Sequence, residues 1–152
     1  MKTITANETE VLNDLIKINN DRIAGYEKAA RETSPEDNDL RVLFDKMAAE
    51  SRICVSELSR HTMERGEEPT TGTTLSGKIY RAWMDVKATF SGKDKKAILA
   101  ACEYGEDAAQ KAYESALEDR DEFSQEIVAL VQQQQARLKQ SHDKIKAMRD
   151  RA

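Results

Sequence analysis

Residues 100–117 read AACEYGEDAAQKAYESAL, and this stretch decides the fold that the sequence predicts. Small and apolar residues recur in and just before it at helical spacing, at Ile98, Cys102, Gly105, Ala109, Tyr113 and Ala116. A step of about 100° per residue places Glu106 about 40° from Cys102, inside an apolar face expected to be roughly 100° wide. Because an unpaired charge inside a core is costly, we expect Glu106 to have a partner on another helix.

The composition predicts one helical domain. Of the 152 residues, 34% are charged, 39% apolar and only 5% aromatic, which is typical of a helical protein and disfavours a sheet-rich one. The net charge of −4, without a segment dominated by Lys and Arg, gives no reason to expect a nucleic-acid partner. The chain has no apolar leader segment and no run of about 18 apolar residues, so we expect a cytoplasmic protein without membrane contact.

Two start signals and a continuous apolar periodicity predict the first pair of helices. Thr5-Ala-Asn-Glu8 has the form of a capping box, and Ser34-Pro35 followed by two acidic residues is typical of a helix N-terminus. The short gap between the helices predicts an antiparallel hairpin. The inward positions are expected to be Leu12, Leu15, Ile16, Asn19, Ile23, Tyr26 and Ala30, then Leu40, Leu43, Phe44, Met47, Glu50, Ser51, Cys54, Leu58 and His61.

The second half predicts another hairpin, reached by a long connection. A loop at 65–74 precedes a short amphipathic helix at about 75–90 that contains Trp83, and two longer helices follow at about 94–118 and 122–149. Two antiparallel hairpins joined by one long crossover form the ferritin-like arrangement. The predicted fold is therefore an all-α, ferritin-like four-helix bundle, a single domain over 1–152 with the crossover at about 66–93. The alternative is an up-down bundle with the short helix packed on its side.

Polar residues on all four inward faces fall at a similar depth, counted from the helix ends. The predicted polar layer consists of Asn19, Glu50, Glu106 and Gln134, with Tyr26 and Ser51 nearby. One interpretation is a hydrogen-bonded layer that fixes the register of the helices. The alternative is an iron or manganese site with Glu50, Glu103 and Glu106 as ligands.

The sequence lacks the motif that a standard di-metal centre needs. Such centres in helical bundles use two Glu-x-x-His motifs. Here Ile53 stands three residues after Glu50, and Lys139 stands three residues before His142. No cofactor is therefore expected under the first interpretation. His61 is expected near a helix C-terminus, and Cys54 and Cys102 are expected to be buried thiols that do not pair.

Several segments together resemble a known family. They are INNDRIAGYEKAA (18–30), the part of helix two around Ser51 and Glu57-Leu58, IYRAWMDVKATFSGKDKKAIL (79–99), CEYGEDAAQKAYESAL (102–117) and HDKIKAMRD (142–150). The chain resembles a bacterial family of small ferritin-like four-helix-bundle proteins classed as a domain of unknown function. The resemblance implies the bundle fold and no particular activity. Members of the wider ferritin-like group handle iron or oxygen, and this chain departs from their Glu-x-x-His pattern.

Two functional hypotheses follow. The preferred one is a non-enzymatic structural or binding module. By analogy alone, we also expect a role in a stress response. The alternative is a metal-binding protein that uses the carboxylates of the bundle core. We also expect a homo-oligomer, a dimer or larger, for which an exposed apolar strip on the Trp83 helix is the candidate interface.

Overall fold

A computed structural model describes residues 4–72, 95–118 and 120–151 of the protein, with side chains from residue 8 onward. These ranges contain four long helices: α1 (Ile4–Glu32), α2 (Asn38–Glu64), α3 (Lys95–Glu118) and α4 (Gln125–Arg151). Short 3₁₀ turns at Pro35–Asp37 and Arg120–Glu122 precede α2 and α4, and the described ranges contain no strand. The predicted helix at 75–90 with Trp83, and most of the crossover, lie outside the described residues.

The first hairpin forms at the predicted turn. The Ser34 side chain accepts a hydrogen bond from the Glu36 backbone N–H at 3.3 Å, and Pro35 takes the first position of the 3₁₀ turn. At its other end, α2 stops where Gly66 adopts a φ of 76°, which a residue with a Cβ rarely tolerates. The Gly66 N–H donates to the Met63 carbonyl at 2.9 Å, which satisfies one of the last carbonyls of the helix.

The predicted capping box of helix one is wrong, because α1 already includes Ile4 and Thr5. Glu8 serves other helix ends instead. Its Oε2 accepts from the Ser124 backbone N–H at 2.6 Å, and its Oε1 accepts from Arg65 Nε at 3.2 Å. A carboxylate is favoured at the positive N-terminal end of a helix, so Glu8 stabilises the start of α4 and ties it to the end of α2.

The last helix begins three residues later than the periodicity predicts. Ser124 acts as its N-cap, since its Oγ accepts from the Ile127 N–H at 3.3 Å and its carbonyl accepts from the Val128 N–H at 3.1 Å. Residues 120–122 form the 3₁₀ turn before this cap. The Ser124 hydroxyl satisfies an N–H of the first turn that has no partner within the helix, and this cap fixes the start of α4 at Gln125.

Pairs of contacting residues fix the helix directions. Along α1, Arg22 contacts Glu106 and Asn19 contacts Tyr113, so α3 runs antiparallel to α1. The α1–α2 hairpin is also antiparallel, and therefore α2 and α3 are parallel to each other. A parallel pair requires the chain to return along the bundle between the end of α2 and the start of α3. The described part of this return already runs beside α1, where Asn13 Oδ1 accepts from the Thr70 N–H and Asn20 Nδ2 donates to the Gly72 carbonyl. This is the ferritin-like arrangement, and the fold prediction is confirmed.

The core between the helices consists largely of the predicted inward residues. Burying one such Leu or Ile stabilises the fold by about 1.5–3 kcal/mol. Both cysteines are free and buried, as predicted. In α1 the inward position predicted for Ile23 belongs instead to Arg22, which is 0% exposed, while Ile23 is half-buried. The fully buried side chains include Leu12, Leu15, Ile16, Phe44, Leu58, Leu99, Ile127 and Leu138.

Across the described ranges, none of the helices combines the length and the apolar character that crossing a membrane requires.

Candidate functional site

An arginine lies at the centre of the bundle. Arg22 of α1 donates from Nε to Glu106 Oε1 at 2.8 Å and from Nη2 to Glu106 Oε2 at 2.7 Å, a bidentate pair. Its Nη1 donates to Ser51 Oγ at 2.7 Å and to the Met47 carbonyl at 3.2 Å, and Nη2 also reaches Glu50 Oε1 at 3.3 Å. A guanidinium has five N–H donors, and these five contacts give every donor an acceptor.

Tyr26 completes the environment of the Glu106 carboxylate. Its hydroxyl donates to Glu106 Oε2 at 2.5 Å, and its ring centroid lies 5.0 Å from Arg22 Cζ, within the range of a cation–π contact. Burial raises the pKa of Tyr26, and the neighbouring Glu106 charge raises it further, so the phenol keeps its proton and remains a donor. Glu106 thus receives three hydrogen bonds from α1.

A chain of neutral side chains continues the network toward α4. Asn19 Nδ2 donates to the Tyr113 hydroxyl at 2.9 Å, which donates to Gln134 Oε1 at 2.7 Å. Gln134 Nε2 then donates to Glu57 Oε1 at 3.0 Å. Ser51 Oγ donates to Asn19 Oδ1 at 3.0 Å and joins this chain to the Arg22 cluster. All four described helices therefore contribute to one hydrogen-bonded layer.

The three carboxylates predicted as metal ligands have different surroundings. Glu106 is 0% exposed and bonded to Arg22 and Tyr26. Glu50 lies at the edge of the layer with its side chain 23% exposed. Glu103 points elsewhere and forms an ion pair with Arg149 near the end of α4. The layer thus brings Glu50 and Glu106 to the same guanidinium and leaves Glu103 outside it.

The predicted polar layer residues all lie in this network. Asn19, Tyr26, Ser51 and Gln134 each make at least one side-chain hydrogen bond to another member. Ser141 of α4 is an additional member, because its Oγ donates to Glu50 Oε1 at 2.8 Å.

Sequence reasoning missed the central residue, Arg22. A signal was present, since Arg22 follows Asn19 by three residues and precedes Tyr26 by four, which places it on the inward stripe. The neighbouring Ile23 is apolar, so the apolar pattern predicts that Ile23 and not Arg22 faces the core. Only the location of Glu106 on another helix makes a buried arginine favourable there.

The pKa of Arg22 is set more by its charged partners than by its burial. Burial alone lowers the pKa of an arginine, but the Glu106 carboxylate, with a smaller contribution from Glu50, holds the pKa of Arg22 above its ordinary value. The guanidinium is therefore cationic. Its charge is compensated within the layer, which is the condition for keeping an ion in a core.

The two histidines lie outside the layer. His142 is on the flank of α4, where Nε2 lies 2.5 Å from Asp107 Oδ1 and Nδ1 lies 3.1 Å from Asp143 Oδ1. His61 is in the last turn of α2, about 15 Å along the helix from Ser51 by its rise per residue. In the described ranges, it belongs to one group of three side chains whose ligand atoms lie within 4.8 Å of one another, with Glu64 and Glu126.

Comparison with known proteins places the chain in a family. The sequence profile of a domain of unknown function, DUF2383, matches residues 7–119. The chain belongs to this family. A comparison with curated proteins found no match. Among solved structures, this DUF2383 protein is similar to a ferritin-like, diiron-carboxylate protein from Bacillus anthracis str. Ames.

The structural likeness extends over nearly the whole of both chains. It covers 97% of the DUF2383 protein and 99% of the other chain, with a TM-score of 0.73 and 16% sequence identity. At this identity the likeness establishes the ferritin-like fold and leaves the chemistry of the site to its own residues.

The polar layer of the DUF2383 protein does not fit a di-iron centre. Such a centre gathers carboxylates from four helices and a histidine from each of two around two cations. Here both Glu106 oxygens are bonded to one guanidinium, and Glu50 contacts the same group. A divalent ion between these carboxylates would face the fixed positive charge of Arg22. The positions that could supply further ligands carry the amides of Asn19 and Gln134.

Proposed function

We propose that this DUF2383 protein is a non-enzymatic ferritin-like module in which Arg22 provides the positive charge at the centre of the bundle. The observation that carries the proposal is the complete pairing of Arg22: all five guanidinium donors have acceptors, and two of them bind Glu106. Such a centre holds helices together and leaves no ligand position open. Its chemistry favours a structural or binding role over catalysis.

The layer supports this role because it specifies one arrangement of the helices. Arg22 on α1 meets Glu106 on α3 and Ser51 on α2, and Tyr113 on α3 meets Gln134 on α4. Sliding α1 or α3 by one turn moves its residues by about 5.4 Å, which breaks the Arg22–Glu106 pair and leaves each buried charge without its partner. A rigid bundle of this kind can present its outer surface to a partner in a fixed geometry.

The second candidate is a metal-binding protein that uses Glu50, Glu103 and Glu106 in the core. The observation in its favour is the likeness to a structure described as a diiron-carboxylate protein. Iron or manganese would be the metal, since both accept carboxylate oxygens. This candidate requires Arg22 to release Glu106 and requires Arg149 to release Glu103, so two ion pairs must break before all three carboxylates can bind an ion.

Iron retention separates the two candidates. Protein purified without chelator and loaded anaerobically with ferrous iron is desalted, and its iron is measured by plasma mass spectrometry beside the Glu106→Gln and Glu50→Gln variants. We expect the two variants to retain the same amount of iron as the natural protein. Iron that is retained by the natural protein and lost in both variants would overturn the proposal. The Glu50 side chain is partly exposed at the edge of the layer, so Glu50→Gln keeps the test decisive if Glu106→Gln fails to fold.

A homo-oligomer and a role in a stress response stay predictions alongside this proposal. Sedimentation velocity at several protein concentrations tests the first. A single species with the mass of one chain, 17.2 kDa, would contradict it.

A further inference from the structure

We propose that His61, Glu64 and Glu126 form a binding site for one divalent transition-metal ion at the end of the bundle where α2 finishes and α4 begins. Zn²⁺ is the ion that these ligands fit best. The site is separate from the Arg22 layer, and the inference goes beyond the proposed function without depending on it.

The geometry of the three side chains fits a single ion. His61 and Glu64 are three residues apart on α2 and leave the same face of the helix, while Glu126 comes from the first turn of α4. His61 Nδ1 lies 3.4 Å from Glu64 Oε1 and 3.7 Å from Glu126 Oε1. Tetrahedral zinc with bonds of about 2.0–2.2 Å places its ligand atoms about 3.3–3.6 Å apart, so only small adjustments are needed.

The imidazole nitrogen supplies the observation that points to a ligand. His61 is only 3% exposed, and its Nδ1 is buried without a hydrogen-bond partner among the described residues. A buried nitrogen left unsatisfied costs about 1–3 kcal/mol. This nitrogen faces the two carboxylates, and a metal ion bound between them would satisfy it. The carboxylates are open to solvent, with side chains 56% and 73% exposed, so an ion can reach the site.

The local charges also favour a cation. Within the described ranges, Glu64 and Glu126 pair with no Lys or Arg, and His61 is the partner of both. His61 lies in the last turn of α2, at the negative end of the helix dipole. One imidazole with two carboxylates suits Zn²⁺ better than Ca²⁺ or Mg²⁺, which prefer oxygen alone. Three protein ligands leave a fourth position for water.

The other histidine provides a matched control. His142 also lies between two carboxylates, but Asp107 contacts its Nε2 and Asp143 contacts its Nδ1. The two ring nitrogens point in different directions, so one ion cannot bind an imidazole nitrogen and both carboxylates there. His142→Gln therefore removes an equivalent histidine–carboxylate pair without touching the proposed site.

Zinc titration tests the inference on the full chain. Protein stripped of metal with a chelator competes with a chromophoric zinc indicator, and the stoichiometry and affinity are fitted. We expect about one Zn²⁺ per chain and an affinity at least about tenfold weaker in Glu126→Gln and in Glu64→Gln, since even the loss of a residue that only supports a ligand costs roughly 10–100-fold. Both substituted side chains are exposed, so these variants fold. His61→Gln should behave in the same way, and His142→Gln should bind like the natural protein.

Two outcomes would overturn the site. One is the absence of stoichiometric Zn²⁺ binding, and the other is binding that Glu126→Gln and Glu64→Gln leave unchanged. The Glu106→Gln variant distinguishes this failure from a failure of the proposed function. Zinc binding that persists in Glu106→Gln and weakens in Glu126→Gln supports the site at the end of the bundle. Zinc binding that weakens in Glu106→Gln and persists in Glu126→Gln would overturn both this site and the proposal that the Arg22 layer binds no metal.

Discussion

Arg22 and Glu106 are joined by two parallel hydrogen bonds, 2.8 Å from Nε to Oε1 and 2.7 Å from Nη2 to Oε2, and neither side chain is more than 1% exposed. The two residues are 84 positions apart in sequence and lie on different helices. The pair therefore fixes α3 against α1 at one register. Its burial also means that each charge depends on the other, because neither can turn to water.

Removing the carboxylate should destabilise the bundle strongly. Glu106→Gln leaves the buried guanidinium and the Tyr26 hydroxyl facing an amide, and breaking a buried ion pair costs about 3–5 kcal/mol. For a protein of this size we expect the melting temperature to fall by about 6–20 °C in thermal unfolding followed by circular dichroism. The control is Glu27→Gln, which removes the exposed ion pair between Glu27 and Arg52 and should cost about 1 kcal/mol or less. Equal effects of the two variants would contradict the importance of burial.

Replacing both partners should be milder than replacing one. Arg22→Met and Glu106→Met each leave the other charge unpaired, whereas the double variant has an apolar centre. Double replacement of a buried ion pair is often neutral or even stabilising. A double-mutant cycle from urea unfolding should give a coupling free energy near the upper end of the range of about 0.5–3 kcal/mol. Strictly additive effects would contradict the pairing.

The Tyr113 hydroxyl should contribute to stability as the bridge between two amides. Tyr113→Phe removes the acceptor for Asn19 and the donor for Gln134, and the loss of a buried partner costs about 1–3 kcal/mol. Tyr104 lies on the same helix with 57% of its surface exposed, so Tyr104→Phe is the matched control and should be close to neutral. The free energies of unfolding in urea provide the comparison, and a neutral Tyr113→Phe would contradict the bridge.

His142 should stabilise the fold more at acidic than at alkaline pH. Partial burial lowers the pKa of His142, but its hydrogen bonds to Asp143 and Asp107 raise it above the ordinary value overall. Because the pKa is higher in the folded state, protonated His142 adds to the free energy of unfolding. This contribution is complete below the unfolded-state pKa of about 6.5 and is lost as the pH rises through the folded-state pKa. The melting temperature of His142→Gln should thus fall below that of the natural protein by about 1–3 °C near pH 5.5, and the difference should vanish near pH 8.5. A difference that grows with pH would contradict this assignment.

Both thiols should be inert in the folded protein. Burial raises the pKa of Cys54 to about 11, and burial together with the nearby Glu106 charge raises the pKa of Cys102. At roughly pH 8 little thiolate is present in either residue, and the thiolate is the reactive form. Ellman's reagent should react with neither thiol in the native state and with both in concentrated guanidinium chloride. Rapid reaction of one thiol without denaturant would show that its helix opens.

The positions of the polar layer residues could be predicted from helical periodicity. Asn19, Glu106 and Gln134 are polar residues on apolar stripes, and their distances from the helix ends place them at one depth before any contact is known. Each is 0% exposed, and each makes side-chain hydrogen bonds within the network. Helical geometry is local, with a fixed rotation and rise per residue, so the face and depth of a side chain follow from the sequence.

The ion pairs of Arg22 and Glu103 could not be predicted from helical periodicity. Both lie close to the inward stripes, yet Arg22 occupies the centre and Glu103 pairs with Arg149 at the edge. The sequence by itself determined four amphipathic helices, their hairpins and the depth of the polar residues, because these depend on spacing along the chain. The tertiary structure alone decided which charges pair, because a buried ion is stable only where a carboxylate from a distant segment meets it within hydrogen-bond distance.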